Sequence, residues 1–395
     1  MLIPAVRCSL CLVLATLFAF ADAPSHGIAA DTAEPMFRGN PERTGELPGP
    51  GPSGKPVLLW RFETAAPVVV SAAVAHGTVY AGSWDHGLYA LDARTGRQRW
   101  RLEARAGFFS SPALHAGMVI AGDNAGRLYA VDADTGMVRW IAYAGGPIWS
   151  SPVVVDGVVY VGSVDGALYA FDAQTGALRW RHVTGGFIWS SSPAIAHGLA
   201  FIGGTGRPGG SEGFFAAIEL DTGSERWRVS IPSGVYNSPS VAGETVYVSG
   251  HDGVLRAFAA TTGAVRWSYQ PPNSGVGSSP SVSDGIVYVS SRDGYLNALD
   301  AASGQVRWRT KFGRSLGSAP VVSHGIVYAV SKTGVLVALD GKTGETLWAF
   351  ATHAEAGSSP VVVNGVIYLG TAKHLLEPVE GLILAIGGDQ TPARV

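Results

Sequence analysis

The sequence predicts an all-β fold, an eight-bladed β-propeller whose blades are four-stranded antiparallel sheets. Three observations carry that prediction. Eight tryptophans, Trp60, Trp100, Trp140, Trp180, Trp227, Trp267, Trp308 and Trp348, recur at intervals of 40, 40, 40, 47, 40, 41 and 40 residues. Between them, short runs rich in Val, Tyr, Leu and Phe alternate with Gly-bearing turns at the same pitch. The two ends of the repeated region are complementary fragments of one further unit.

The copy that ends at Trp180 shows the unit most clearly. Asp156-Gly157 separates its first two apolar runs, Val164-Asp165-Gly166 the next two, and Asp172 to Gly176 the last two. The runs are strand-length and have no helical period, so the unit is a meander of strands A to D. The A–B turn recurs as His76-Gly77, Ala116-Gly117, His197-Gly198, Ala242-Gly243, Asp284-Gly285, His324-Gly325 and Asn364-Gly365. Glycine there supplies the positive φ that a two-residue hairpin needs. The C–D turn recurs as Thr-Gly or Ser-Gly, from Thr95-Gly96 to Thr343-Gly344. Strand A opens on Ser-Pro, as at Ser111-Pro112 and Ser359-Pro360, where proline is tolerated because a first residue can leave its N–H unpaired.

One such sheet cannot bury both of its faces; stacking copies radially does. Each periodic tryptophan falls on strand D, the outer strand, where it is expected to dock on the next blade and fill the widening wedge. Seven whole repeats lie between Trp60 and Trp348. After Trp348 come an A, a B and a C strand, the last over Leu382–Ile386, with no further Thr-Gly or Trp. Leu58 to Phe62 is a D strand without its A, B and C. The eighth blade is therefore expected to be a composite that closes the ring and leaves no open sheet edge.

The expected organisation is a signal peptide over 1–21, a Pro/Gly-rich segment over 22–57, the propeller over 58–389 and a tail over 390–395. Arg7 precedes the apolar run Leu10 to Phe20, and Ala19-Phe20-Ala21 has the small residues of a signal-peptidase site. Ala23 and Ala30 are alternative ends. The run is short for a membrane span, so the expected location is periplasmic or secreted. Both cysteines, Cys8 and Cys11, lie within the leader, so the mature chain would have no disulfide and no thiolate. Losing residues 1–21 removes one Arg and leaves 27 − 30 = −3, a charge that offers nucleic acid no handle.

The unit A-L-D-A-x-T-G-x-x-x-W, as in Ala90 to Trp100 and Ala338 to Trp348, resembles the tryptophan-docking repeat of the pyrroloquinoline quinone (PQQ) propeller superfamily. Similarity to its catalytic branch implies a PQQ-dependent dehydrogenase holding PQQ and calcium. Similarity to the branch of the outer-membrane assembly lipoprotein BamB implies a non-catalytic propeller that binds proteins. The chain lacks the long insertions and the adjacent-cysteine disulfide of the first branch, and the lipid-anchoring cysteine of the second. Its compact size is similar to the non-catalytic members, and Phe37 to Pro41 looks like a start common among short secreted ones.

Deviations between repeats are where a site is to be sought. The B–C loops of blades four (Gly203–Gly213) and eight (Thr371–Gly381) are long, carry Arg207, Lys373 and His374, and lie diametrically opposite. Just before the Ser-Ser-Pro start stand Phe109, Trp149, Trp189 and Tyr236 in blades two to five, but Gly277, Gly317 and Gly357 in blades six to eight. Trp84 sits in the B–C turn of blade one. These aromatics are expected to line half the mouth of the central channel, as a binding site or as a plug. No catalytic residue or metal ligand is assigned. Gly313 to Gly317 matches G-x-S-x-G without the strand-to-helix elbow, and Gly204 to Gly209 matches G-x-G-x-x-G without a helix. Asp85, Asp165, Asp252 and Asp293 read as turn residues. The expected function is a monomeric scaffold that binds an envelope or secreted protein or peptide on the B–C/D–A face, with a PQQ-dependent oxidoreductase as the alternative.

Overall fold

In the third repeat, strands 153–155, 158–162, 167–172 and 178–183 pair in that order, each antiparallel to the last. The A–B turn places Asp156 and Gly157 at φ of 49° and 70°, the mirror-image turn whose twist suits two adjacent strands. Every residue of strand B is buried, whereas strand D is exposed or half-buried along its length. The inner strands are covered by neighbours on both faces, which explains their nearly continuous apolar sequence.

The computed structural model describes residues 35–206, 212–272, 274–313, 318–374 and 380–389. The expected leader, Arg207, Gly317 and the tail lie outside the described residues. Seven sheets repeat the A-B-C-D order. The eighth is composite: strand 56–64 pairs antiparallel with 381–388, with Trp60 opposite Ala385 and Phe62 opposite Ile383. Strand 366–374 follows, flanked by 361–363 and by an added strand, 354–356. Among the described residues no helix is long and apolar enough to cross a membrane.

One expected turn is shifted. In blade five Ala242 pairs with Thr245, so the turn is Gly243-Glu244 and not Ala242-Gly243. Gly243 has φ of 54° while Glu244 is not left-handed, which is the turn that asks for glycine at its first position.

Seven of the periodic tryptophans hydrogen-bond to the next blade. Their indole N–H groups donate to a carbonyl beside the next blade's C–D turn: Trp60 to Ala93 at 2.9 Å, Trp140 to Ala173 at 3.0 Å, Trp180 to Leu220 at 2.7 Å and Trp308 to Gly341 at 2.9 Å. The ring lies on the glycine of Thr-Gly, where a Cβ at Gly96 would come within 2.7 Å of Trp60. That glycine is required both by its φ of 70° and by the close approach. Trp348 faces blade eight, where the C–D turn is interrupted, and packs against Tyr328 and the cluster of Ala354, Ile367 and Ile386 instead.

Residues 35–50 thread along the innermost strands. Their carbonyls take the N–H groups of Leu114, Ile195, Val241, Val282 and Val322, offered by Pro35, Pro41, Glu42, Thr44 and Gly45. All five lie toward the A–B turns, so this segment fills one end of the channel. Strand A normally carries an apolar residue two positions after the serine that precedes its proline, as in Ala113, Val153 and Ala194. Blades five and six carry Ser240 and Ser281 there, and Arg38 reaches both hydroxyls, at 3.5 and 2.9 Å.

Candidate ligand-binding mouth

On the other end, the B–C turns are stitched to the preceding D–A connections. The N–H groups of Trp84, Asn124, Val164, His251 and Arg292 donate to Pro67, Gly107, Pro147, Gly234 and Gly275 at 2.8–3.0 Å. B–C turns and D–A connections thus share one face, and homologous positions form rings around the channel.

Four of the expected aromatics form one stack. Trp84 and Phe109 lie 4.6 Å apart at 21°, Phe109 and Trp149 5.2 Å at 16°, and Trp149 and Trp189 5.1 Å at 45°. Phe187 extends it at 5.7 Å from Trp189. The indoles are held in place: Trp149 donates to the Asn124 side chain at 2.7 Å and Trp189 to the Thr205 hydroxyl at 3.1 Å. Each ring contact adds about 0.5–1.5 kcal/mol beyond area burial.

Tyr236 stands apart. It is 37% exposed and meets His251 at 5.0 Å rather than Trp189. The extra residue of blade four, Ser190, sits between them and donates to the Tyr236 carbonyl at 2.9 Å. Lys373 is exposed on the blade-eight side, paired opposite Glu355, and the His374 side chain lies outside the described residues. Phe187, Asn124, Thr205 and His251 were not singled out from sequence. Phe187 alone carried a signal, an aromatic at the position held by Pro67 and Pro147. The homologous B–C ring changes character around the mouth, from Trp84 and Asn124 to the exposed cationic or titratable His251, Arg292 and Lys332.

Beneath the mouth lies a well of about 300 Å³, with Phe37 among its lining residues. Its wall is a ring of serines that links blade to blade. The N–H of Ser71 donates to the Ser111 hydroxyl at 3.0 Å, Ser111 to Ser151 at 3.0 Å, and Ser151 to Ser192, Ser192 to Ser238 and Ser238 to Ser279 at 2.9 Å each. Ala319 interrupts the ring in blade seven.

Arg38 and Arg43, both buried, lie just below this ring. Arg43 donates to the Ser151 and Pro152 carbonyls at 2.9 Å, to Pro193 at 3.1 Å and to Phe37. Arg38 donates to the Arg43 carbonyl at 3.1 Å and to Pro280, while its second terminal nitrogen has no partner. Neither forms an ion pair among the described residues. Burial pushes both guanidinium pKa values down to about 9, and Arg38 adds to the effect on Arg43, which leaves both cationic at neutral pH.

The residues of the well do not suit a calcium-held quinone. Calcium asks for six to eight oxygen ligands, with carboxylates among them. The described lining is serine, glycine, alanine, valine, asparagine and aromatic residues, without a carboxylate. Asp85 and Asp165 are spent in their own turns on Tyr89 at 2.7 Å and Tyr169 at 2.5 Å.

Comparison with known proteins agrees with this architecture. Residues 53–183, 112–209, 182–279 and 271–382 match the family model described as outer membrane protein assembly factor BamB. No curated protein matches the sequence. Among solved structures, BamB from Moraxella catarrhalis is 18% identical with a TM-score of 0.69, covering 84% of this chain and 100% of that one. The quinohemoprotein alcohol dehydrogenase of Comamonas testosteroni is 16% identical with a TM-score of 0.77, over 92% and 82% of the two chains. A europium-containing methanol dehydrogenase is 15% identical with a TM-score of 0.76, over 91% and 99%. At these identities the likeness is one of fold, shared by BamB and by dehydrogenases alike. The family match spans most of the sequence: the chain belongs to the BamB-like family of PQQ-repeat propellers.

Proposed function

We propose that the protein is an exported, monomeric scaffold that binds an envelope or secreted protein or peptide through its B–C/D–A face. The observation that carries this reading is the continuous run of ring contacts from Trp84 to Trp189, stacked as far as Trp149 and tilted beyond it, at the end of the channel that residues 35–50 leave free. Aromatic anchors at a concave mouth are the residue types that dominate binding energy. Family membership supports the same reading, and the channel's fixed rim suits a preorganised surface. Capture from an envelope fraction with the native protein and with a Trp149→Ala/Trp189→Ala variant is the test. A partner retained by the native protein and lost by the folded variant supports the arc; equal retention moves the site to the long loops of blades four and eight.

The alternative is a PQQ-dependent oxidoreductase, which the fold accommodates in its relatives but which the carboxylate-free well disfavours. Stoichiometric retention of PQQ through gel filtration with Ca²⁺ would establish it over the scaffold reading.

A further inference from the structure

We propose that the serine well is a carboxylate site: it takes the anionic end of an apolar ligand whose body rests on the aromatic arc. The assignment begins with hydrogen-bond accounting. The hydroxyl oxygens of Ser111, Ser151, Ser192, Ser238 and Ser279 each accept a backbone N–H from the preceding blade. None of the five donates to an acceptor among the described residues. A serine hydroxyl has one proton to give and two acceptor lone pairs, of which the neighbouring N–H engages one, so the ring offers several uncommitted O–H donors to the well. All five serines line the well.

The charge around the well has the matching sign. Arg38 and Arg43 put two buried guanidinium charges one or two residues below the ring, with backbone carbonyls and hydroxyls as their acceptors and no carboxylate. The unpartnered nitrogen of Arg38 is the group that a buried cation does not normally leave idle. At the rim, Arg292 and Lys332 are exposed and form no ion pair among the described residues. The nearby acids Asp252 and Asp293 are neutralised by Arg256 at 2.6 Å and Arg309 at 2.5 Å. A site with hydroxyl donors, buried cations and no acid binds an anion and repels a metal ion.

Carboxylate is favoured over a compact inorganic anion by what surrounds the well. The arc from Trp84 to Trp189 borders one side of its entrance, so an anion carried on an apolar group buries that group in the same event. Two sources share this chemistry, a small apolar acid and the free C-terminus of a chain ending in an apolar residue. The assignment does not rest on the protein-partner reading, since the small acid would satisfy it alone.

Calorimetric titration of the purified protein tests it with four probes: N-acetylphenylalanine, its neutral amide, a hexapeptide ending in phenylalanine with a free carboxylate, and inorganic phosphate. The acid is expected to bind, and the amide to bind roughly tenfold more weakly or worse, as befits losing charge-assisted hydrogen bonds. Tighter binding of the hexapeptide than of N-acetylphenylalanine identifies a chain end as the source; equal binding identifies a small acid. Ser151→Ala/Ser238→Ala should erase the preference for acid over amide. Blade seven already carries Ala319 at this position, so the ring tolerates alanine, and an unchanged melting temperature confirms folding. Equal binding of acid and amide, tighter binding of phosphate than of the acid, or no saturable binding of either acid overturns the assignment. Loss of partner capture in the Trp149→Ala/Trp189→Ala variant would still stand after any of those results, which separates the two readings.

Discussion

At the A–B end of the channel the protein completes itself. Residues 35–50 supply carbonyls to the inner strands, Arg43 spans blades three and four, and Arg38 reaches blades five and six. The repeat is altered there to receive them: Ser281 and Ser240 meet Arg38, Ser283 meets Glu46 at 3.1 Å, and Ser323 meets the Gly49 carbonyl. At the B–C end the repeat is altered just as strongly, but the altered side chains meet chiefly one another. A deviation from the repeat is therefore not in itself the mark of a ligand. The ones to follow are those whose partner within the chain does not account for them, and on this molecule they gather at one end.

The largest expected effect comes from removing the self-completing region altogether. Deleting residues through Phe62 takes away the plug and the strand that pairs with 381–388. The bared edge should drive aggregation or a large fall in melting temperature. A deletion variant that sediments as a monomer with unchanged melting temperature would remove the closure from the account.

Next in size is the contrast between docking and mouth tryptophans. Trp140→Ala should cost about 3–5 kcal/mol of folding stability in urea denaturation, as truncation of a buried Trp does. Trp149→Ala and Trp189→Ala should each cost less, about 1–2 kcal/mol from lost stacking, while weakening partner binding by about 2 kcal/mol or more. If the mouth variants unfold as badly as Trp140→Ala, the arc is a structural plug and the two ends of the channel are alike.

Arg43→Met asks whether the closed end depends on a cation. It removes the donors to Ser151, Pro152 and Pro193 and leaves buried carbonyls unsatisfied, at about 1–3 kcal/mol apiece in part offset by relaxation. A net loss on the order of 3 kcal/mol is expected. A neutral effect on urea unfolding would mean that packing alone seals that end.

The smallest effect is one of pH, and it acts on the same face as the plug. In the C–D turns Asp172 and Asp300 are held down to about 2, chiefly by Arg179 and Arg307, and Asp92, Asp132 and Asp340 are lowered as well. A carboxylate depressed in the folded state favours folding above its unfolded value and loses that contribution as pH falls through the folded one. Thermal melts should therefore be flat from neutrality to about pH 4 and decline toward about pH 2. These groups are partly exposed to solvent, so the decline should be gradual and weakened by salt. A decline centred near pH 6 would point to histidine instead.

The ring was legible because its signals are periodic and local. Trp, Thr-Gly and Asp-Gly each act within one blade or on the next, so counting them yields the blades and the composite eighth. The plug was not legible, because residues 35–50 have no period and bond to strands that lie far along the chain. The serine ring was visible only as a strand start, since nothing in Ser-Ser-Pro says that the second hydroxyl faces a neighbouring blade. The arc was half legible. Its aromatic types stood out, yet the single inserted Ser190 moved Tyr236 out of the stack, and the placement of one residue within a connection is beyond what pattern can fix.

The composite blade also sets an order of events. Strand 56–64 leaves any growing or emerging chain early, yet its partners are more than 300 positions downstream. Until they arrive, that strand has no partner along the edge that will face 381–388, although Trp60 already has its docking carbonyl at Ala93, and the seven whole blades form an arc with two raw ends. Closing so long a loop is slow relative to forming each meander. The last step of folding is thus expected to be the annealing that converts an open arc into a closed ring, and factors that hold the early strand in waiting should raise the yield of native protein more than they raise its final stability.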